Sequence, residues 1–170
     1  MKNNWSNKEA AKCIKFYKRL GYSKDIALRV YTTKLLGKNK ELVLHGGGNT
    51  SVKTLAKDID GKVKKVLCIK GSGWNMAEIE PEGLPAVKLE PLLTLKGKDF
   101  MSDEDMVAFQ KRNLIKLNSP NPSVETFVHA FLPYKYVDHT HSDAIVSITN
   151  RPNNAKLCNC LLYTSPSPRD

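Results

Sequence analysis

The sequence has no apolar run long enough to cross a bilayer. Its start, MKNNWSNKEAAKCIKFYKRL, scatters charges where a signal peptide needs an apolar core and a cleavage site. Both absences predict a cytoplasmic protein with no membrane partner. Cysteine is scarce, four in 170 residues. Cys13 and Cys68 sit inside apolar-periodic segments, and Cys158 and Cys160 are too close for a C-x-x-C metal or redox motif. No disulfide framework is expected. Acidic residues are scarce in one part of the chain only: residues 1–70 hold 17 Lys and Arg against 5 Asp and Glu, while residues 71–170 hold 10 against 12. The net charge of +10 therefore comes from the first part. The lysines recur along amphipathic stretches such as KEAAKCIKFYKRL without an aromatic stacking pattern, so they read as solvated helix faces and nucleic acid is not expected. Their sign still suits an anionic, phosphorylated small molecule.

What is present looks like one soluble globular domain, with 41% hydrophobic and 26% charged residues. Ala10–Leu20 and Asp25–Leu36 show helical periodicity, with Gly21 and Gly37 placed as stops. The period then shortens. ELVLH (41–45), VKKVLCIK (63–70) and LPAVKLE (84–90) read as strands, and DIDGK reads as a turn. SDEDMVAFQKRNLIK predicts a helix with Ser102 as N-cap and acids in its first turn. SVETFVHAFL (123–132) predicts another, bracketed by Pro122 and Pro133. YKYVDHTH and AIVSIT read as further strands. Helices, strands, helices and a strand make a mixed α/β domain, with no repeat and no internal linker.

Two stretches carry chemistry. LVLHGGGNTSVK (42–53) puts three glycines between apolar segments, where backbone can approach an anion closely and Asn49, Thr50 and Ser51 add donors. It lacks the Gly-Lys-Ser/Thr end of a nucleotide loop and the third glycine of a dinucleotide fingerprint. KGSGWNM (70–76) is a second small-residue turn. YVDHTHSDA (136–144) contains the other stretch. Residues two apart on a strand share a face, so His139 and His141 would project side by side, as a metal pair or as two polar residues ending a strand. His45, before the glycines, and His129, at a core-like helical position, read as structural.

Taken in order, the Gly-rich Asn-Thr-Ser turn, the Gly-Ser-Gly turn, NPSVE before a helix and DHTH on a strand resemble the class II aldolase/adducin family. The likeness covers about Tyr31 to Asn150. It is strongest to the aldolase part of bifunctional rhamnulose-1-phosphate aldolase/alcohol dehydrogenases, in stretches such as IEPEGLPAVKLEPL and NPSVETFVHAFLPYKYVDHTH. The resemblance implies a class II aldolase-like layered α/β/α domain with a central, mainly antiparallel sheet. It implies His139 and His141 as ligands of one Zn²⁺ and Glu125 as the proton-transfer group. It also implies Asn49, Ser51, Ser72, Gly73 and Ser123 as phosphate or substrate contacts. Val124 replaces a second serine found in many members.

The implied reaction is zinc-dependent cleavage of a ketose 1-phosphate, rhamnulose 1-phosphate above all, to dihydroxyacetone phosphate and lactaldehyde. A sugar-phosphate epimerase or dehydratase would share that chemistry, and a non-catalytic, adducin-like interaction domain is the alternative of a different class. The family's third zinc histidine lies further downstream, and no histidine follows His141 here. The fragment alone is therefore expected to bind zinc weakly and to lack aldolase activity. Residues 1–157 are expected to form the aldolase-like domain, incomplete at its C-terminus. Residues 158–170 read as a non-native or disordered tail, because LLYTSPSPRD resembles a translated sequencing adapter. A homo-oligomer and a fused dehydrogenase domain are expected of the full-length protein.

Overall fold

The computed structural model describes residues 3–44, 46–98 and 100–160. His45 and the stretch 161–170 of the expected tail lie outside them. Helix α1 (Asn7–Arg19) begins where Ser6 accepts the backbone N–H of Glu9, and α2 (Lys24–Gly37) where Ser23 accepts that of Ile26. Each serine satisfies a donor that the first helical turn leaves without a partner.

Four strands follow: β1 (Asn49–Lys57), β2 (Val63–Ile69), β3 (Ala86–Lys88) and β4 (Tyr136–His139). They form one sheet in the order β3-β2-β1-β4, every pair antiparallel. Strand alternation divides the side chains between two cores. On one face Val52, Val66 and Cys68 pack with Tyr17 of α1 and with Ala27 and Val30 of α2. On the other, Leu67, Ile69 and Val87 pack on α3 (Leu89–Leu93), on Leu114 just after α4 (Asp103–Arg112), and on Ala130 of α5 (Thr126–Phe131). The result is the expected α/β/α layering around an antiparallel sheet.

Several expected elements are replaced. Residues 41–44 are not a strand: Asn39 accepts the N–H of both Leu42 and Val43, which makes a turn, and the strand starts later, at Asn49. Asn49–Ser51 thus open β1 instead of sitting in a glycine loop. AIVSIT is not a strand either but lies in α6 (Asp143–Thr149), followed by α7 (Asn154–Cys158). A short apolar run does not reveal its period, and here an acidic first-turn residue, Asp143, starts a helix. Ile145 and Val146 remain exposed on it. The helix expected over 102–116 stops at Arg112 because the chain turns to pair with β3: Lys88 donates to the Asn113 carbonyl and Ile115 to that of Ala86.

One buried charge fixes the edge strand. Arg29 of α2 is 1% exposed and reaches across the sheet. Its guanidinium donates to the carbonyl of Ser51 on β1 at 3.1 Å and to that of Val137 on β4 at 3.5 Å, and it pairs with Asp138 at 2.6 Å. Removing the carboxylate leaves a buried cation without its ion partner. Asp138→Asn should lower stability by roughly 1–3 kcal/mol, read from urea unfolding; an unchanged midpoint would show that the pair does not hold β4.

Candidate active site

The site grows from the same alternation on β1. Asn49, Ser51 and Lys53 point to the α5 side of the sheet, and each is tied to the 123–134 segment. Asn49 donates through Nδ2 to Ser123 Oγ at 3.1 Å and to the Glu125 carboxylate. Ser51 Oγ meets His129 Nδ1 at 2.8 Å. Lys53 Nζ donates to the carbonyls of His129 at 2.9 Å, Tyr134 at 2.8 Å, and Leu132. These bonds hold α5 and its flanking residues against the strand.

The register of β4 completes the cluster. His139 lies opposite Asn49, on the same face, and its Nδ1 meets Glu125 Oε2 at 2.8 Å. Glu125 is therefore shared between the Asn49 amide and the His139 imidazole, while its own backbone N–H donates to Ser123 Oγ at 3.3 Å. His141 follows β4, and its ring lies 4.7 Å from that of His139, centroid to centroid. The glycines explain the tight fit. A Cβ on Gly48, which has φ of +69°, would lie 2.6 Å from the His139 carbonyl, and one on Gly47 would lie 3.1 Å from His141 Nδ1. Only glycine serves both the left-handed backbone and the close approach at position 48.

Among the expected site residues, Asn49, Ser123, Glu125, His139 and His141 come together. Ser72 and Gly73 stay exposed in their turn, which is joined to the same corner: Ser72 donates to the Asn121 carbonyl at 2.8 Å, and Gly71 bridges to Pro122. Ser51 differs. It has no exposed surface and its hydroxyl is engaged by His129, so it stands behind the corner rather than facing a ligand. Among the described residues, no group of three or more His, Cys, Asp or Glu side chains is arranged to hold a metal ion. Two adjacent imidazoles are donors of the right chemistry for a divalent cation, so the fit is that of two ligands, with Glu125 bonded to one of them.

Two relevant residues escaped the sequence reading. Arg29 gives no signal beyond one basic residue in an apolar helix stripe. Lys70, 4% exposed, ends the strand segment directly before the Gly-Ser-Gly turn, and its position next to those small residues was the available clue.

Residues 28–165 match the family described as Class II Aldolase and Adducin N-terminal domain. The chain is 38% identical over 157 residues to an uncharacterized oxidoreductase, YuxG, of Bacillus subtilis (strain 168); the alignment covers 92% of this chain and 22% of that protein. A solved structure, the N-terminal class II aldolase domain of a conserved protein from Thermoplasma acidophilum, is similar with a TM-score of 0.79 at 39% identity, covering 94% of this chain and 69% of that one. The chain belongs to the class II aldolase and adducin N-terminal domain family, and its fold is that of the class II aldolase domain. It spans about a fifth of the Bacillus relative, 22% of its length.

His129 makes the corner sensitive to acid. It is 1% exposed, and burial pushes its pKa down from 6.5 to about 4, against the opposing pull of the Glu125 charge. The unfolded chain takes up a proton as pH falls below 6.5, whereas the folded one does so only near 4. Stability present above the higher value is thus lost progressively toward the lower one, about 3 kcal/mol over that window. Urea midpoints measured from pH 7 to 4 should fall more steeply for the native protein than for His129→Gln. Parallel slopes would remove His129 as the cause.

Proposed function

We propose that this chain forms the aldolase part of an enzyme that cleaves a ketose 1-phosphate, with rhamnulose 1-phosphate giving dihydroxyacetone phosphate and lactaldehyde. The observation that carries this reading is Glu125, held between an amide and an imidazole beside a second imidazole, at a corner lined by two glycine turns. An interaction domain has no physical need for that set.

Retro-aldol cleavage breaks the bond between the α- and β-carbons of the ketone. The β-hydroxyl loses its proton and becomes the aldehyde, and the α-carbon keeps the electron pair as a carbanion beside the carbonyl, which needs an electron sink. A Zn²⁺ held by His139 and His141 would polarise the carbonyl oxygen as a Lewis acid. Glu125, half-exposed and oriented by Asn49 and His139, is the group placed to move a proton to or from carbon. Ser123 Oγ and the Asn49 amide fix its position. The exposed Ser72 hydroxyl and the open backbone at Gly73 suit the phosphate, with Ser51 supporting from behind. The name of the Bacillus relative fits a dehydrogenase fused to this domain, in the 78% or so of that protein that the alignment leaves uncovered. A cytoplasmic homo-oligomer acting on a small sugar phosphate, without nucleic acid, completes the reading. Among the described residues, no helix is long and apolar enough to cross a membrane.

In the full-length enzyme, Glu125→Gln should lower kcat about a hundredfold or more with little change in KM, because it removes proton transfer and keeps the shape. Asn49→Ala would by the family likeness mainly raise KM. The geometry adds a loss of kcat, since the amide also holds Glu125. Small, equal effects from both changes would count against these roles. Zinc separates the enzyme from the interaction domain: calorimetric titration should show one equivalent bound by the full-length protein, weakened at least tenfold in His139→Ala and in His141→Ala. Absence of stoichiometric binding would favour the scaffold.

A further inference from the structure

Lys70 is a buried cation, its side chain almost entirely enclosed, with no carboxylate against it among the described residues. Nζ donates only to carbonyls, that of Trp74 at 2.9 Å and that of Gly71 at 3.5 Å, the two ends of the Gly71–Trp74 turn. Lysine is almost never enclosed unless paired, because desolvating an ammonium is costly and neutral carbonyls repay only part of it. A glutamine could hold the Trp74 carbonyl without that cost.

The backbone of Lys70 ties together the pieces of the corner. Its N–H donates to Thr50 of β1 at 2.9 Å, and its carbonyl accepts the N–H of Ser123 at 3.2 Å. Ser72 on the turn above reaches Asn121. Lys70 therefore lies beneath the two segments that present Ser72, Gly73 and Ser123. Burial holds its pKa below the ordinary lysine value, while the charge of Glu125 pulls the other way, so it shares an electrostatic environment with the site.

We infer that Lys70 is a positioning residue for an anionic phosphate group: its buried ammonium supplies, through the Gly71–Gly73 turn, the positive charge that a phosphate dianion at Ser72 and Ser123 would balance. This rests on the proposed phosphorylated substrate and adds the source of its charge recognition. The anion touches the turn and Ser123, and Lys70 acts from below by its field and by holding the two ends of the turn.

Inorganic phosphate is the probe, titrated by calorimetry at constant ionic strength, with turnover not required. Lys70→Gln keeps a donor for Trp74 and removes the charge; it should bind phosphate about tenfold more weakly, the size expected of one partly screened charge several Å away. Lys70→Arg restores the charge and should stay within about threefold of the native protein. Native binding with equal affinity in Lys70→Gln would overturn the role of Lys70 and leave the substrate reading intact. Equal losses of affinity in both variants, matched by equal losses of melting temperature, would show a purely structural residue and overturn it too. Absence of phosphate binding by the native protein would remove the phosphate reading itself, and this inference with it. Should Lys70→Gln fail to fold, the native protein decides: the Lys70 ammonium signal in NMR, assigned by its loss in Lys70→Arg, should shift saturably with phosphate, and an unmoved signal overturns the inference.

Discussion

The arrangement depends on a positive charge buried beneath the sheet. Arg29 spans β1 and β4 from below, with one nitrogen shared by the Ser51 and Val137 carbonyls and the other given to Thr32 and Asp138. β4 is only four residues long and lies at the sheet edge, where a few ladder bonds alone would hold it loosely. Pinning it sets the register in which His139 faces Asn49. A slip of one residue would turn His139 to the α2 face and put Asp138 in its place, because side chains alternate with period two. The position of the imidazole at the site thus follows from an arginine that never touches it.

β1 extends the same logic to both faces. Thr50 meets Thr33 at 2.6 Å and Thr54 meets Asp25 at 2.7 Å on the α2 side, while Asn49, Ser51 and Lys53 engage the α5 side. A central strand read by apolar burial alone would alternate hydrophobic and polar. This one is polar on both faces at its start, and its hydrogen bonds specify which helix lies where. The apolar work falls to β2, whose Val66 and Cys68 enter one core and Leu67 and Ile69 the other. Burial supplies the adhesion there, and the polar strand beside it supplies alignment.

That division explains what could be read from the residues. β2 is legible as a strand from its short apolar, β-branched run, which the structure buries on both faces, and α1 and α2 are legible by period and by their glycine stops. The start of β1 reads as a turn because Asn-Thr-Ser after three glycines carries every local mark of one; it is a strand because Ser51 pairs with Ile69 and Asn49 with His139, 18 and 90 residues away. AIVSIT misleads in the opposite direction: its β-branched residues argue for a strand, but the segment closes helical bonds instead, from Val146 N–H to the Ser142 carbonyl and from Asn150 N–H to that of Val146. Of the site, the grouping of Glu125 with His139 and His141 was legible through family likeness. The partners that place it, Arg29 and Lys70, were not, because a single charge among apolar neighbours looks the same whether it is solvated or buried.

Among the described residues, three departures from local rules gather at one end of the sheet, apart from those at Arg29 Nε, Gln110 Nε2 and Asn153. Asn49 Oδ1 is buried without a donor, a loss of about 1–3 kcal/mol for an unsatisfied acceptor. Lys70 is enclosed without a carboxylate, and Gly48 takes a left-handed backbone pressed on the His139 carbonyl. The three sit within a few residues of Glu125 in space or along the β1 ladder. Such departures persist only where the surrounding structure over-determines them. Here two packed cores and the Arg29 clamp lie directly behind them, and two of the departures have a ligand-shaped remedy: a donor for Oδ1 and an anion for the ammonium. A folding scaffold with no ligand would gain stability by replacing Asn49 and Lys70 with apolar or paired residues, whereas Gly48 is required by its backbone in either case. Their coincidence beside Glu125 is the physical argument behind the proposed ligand site.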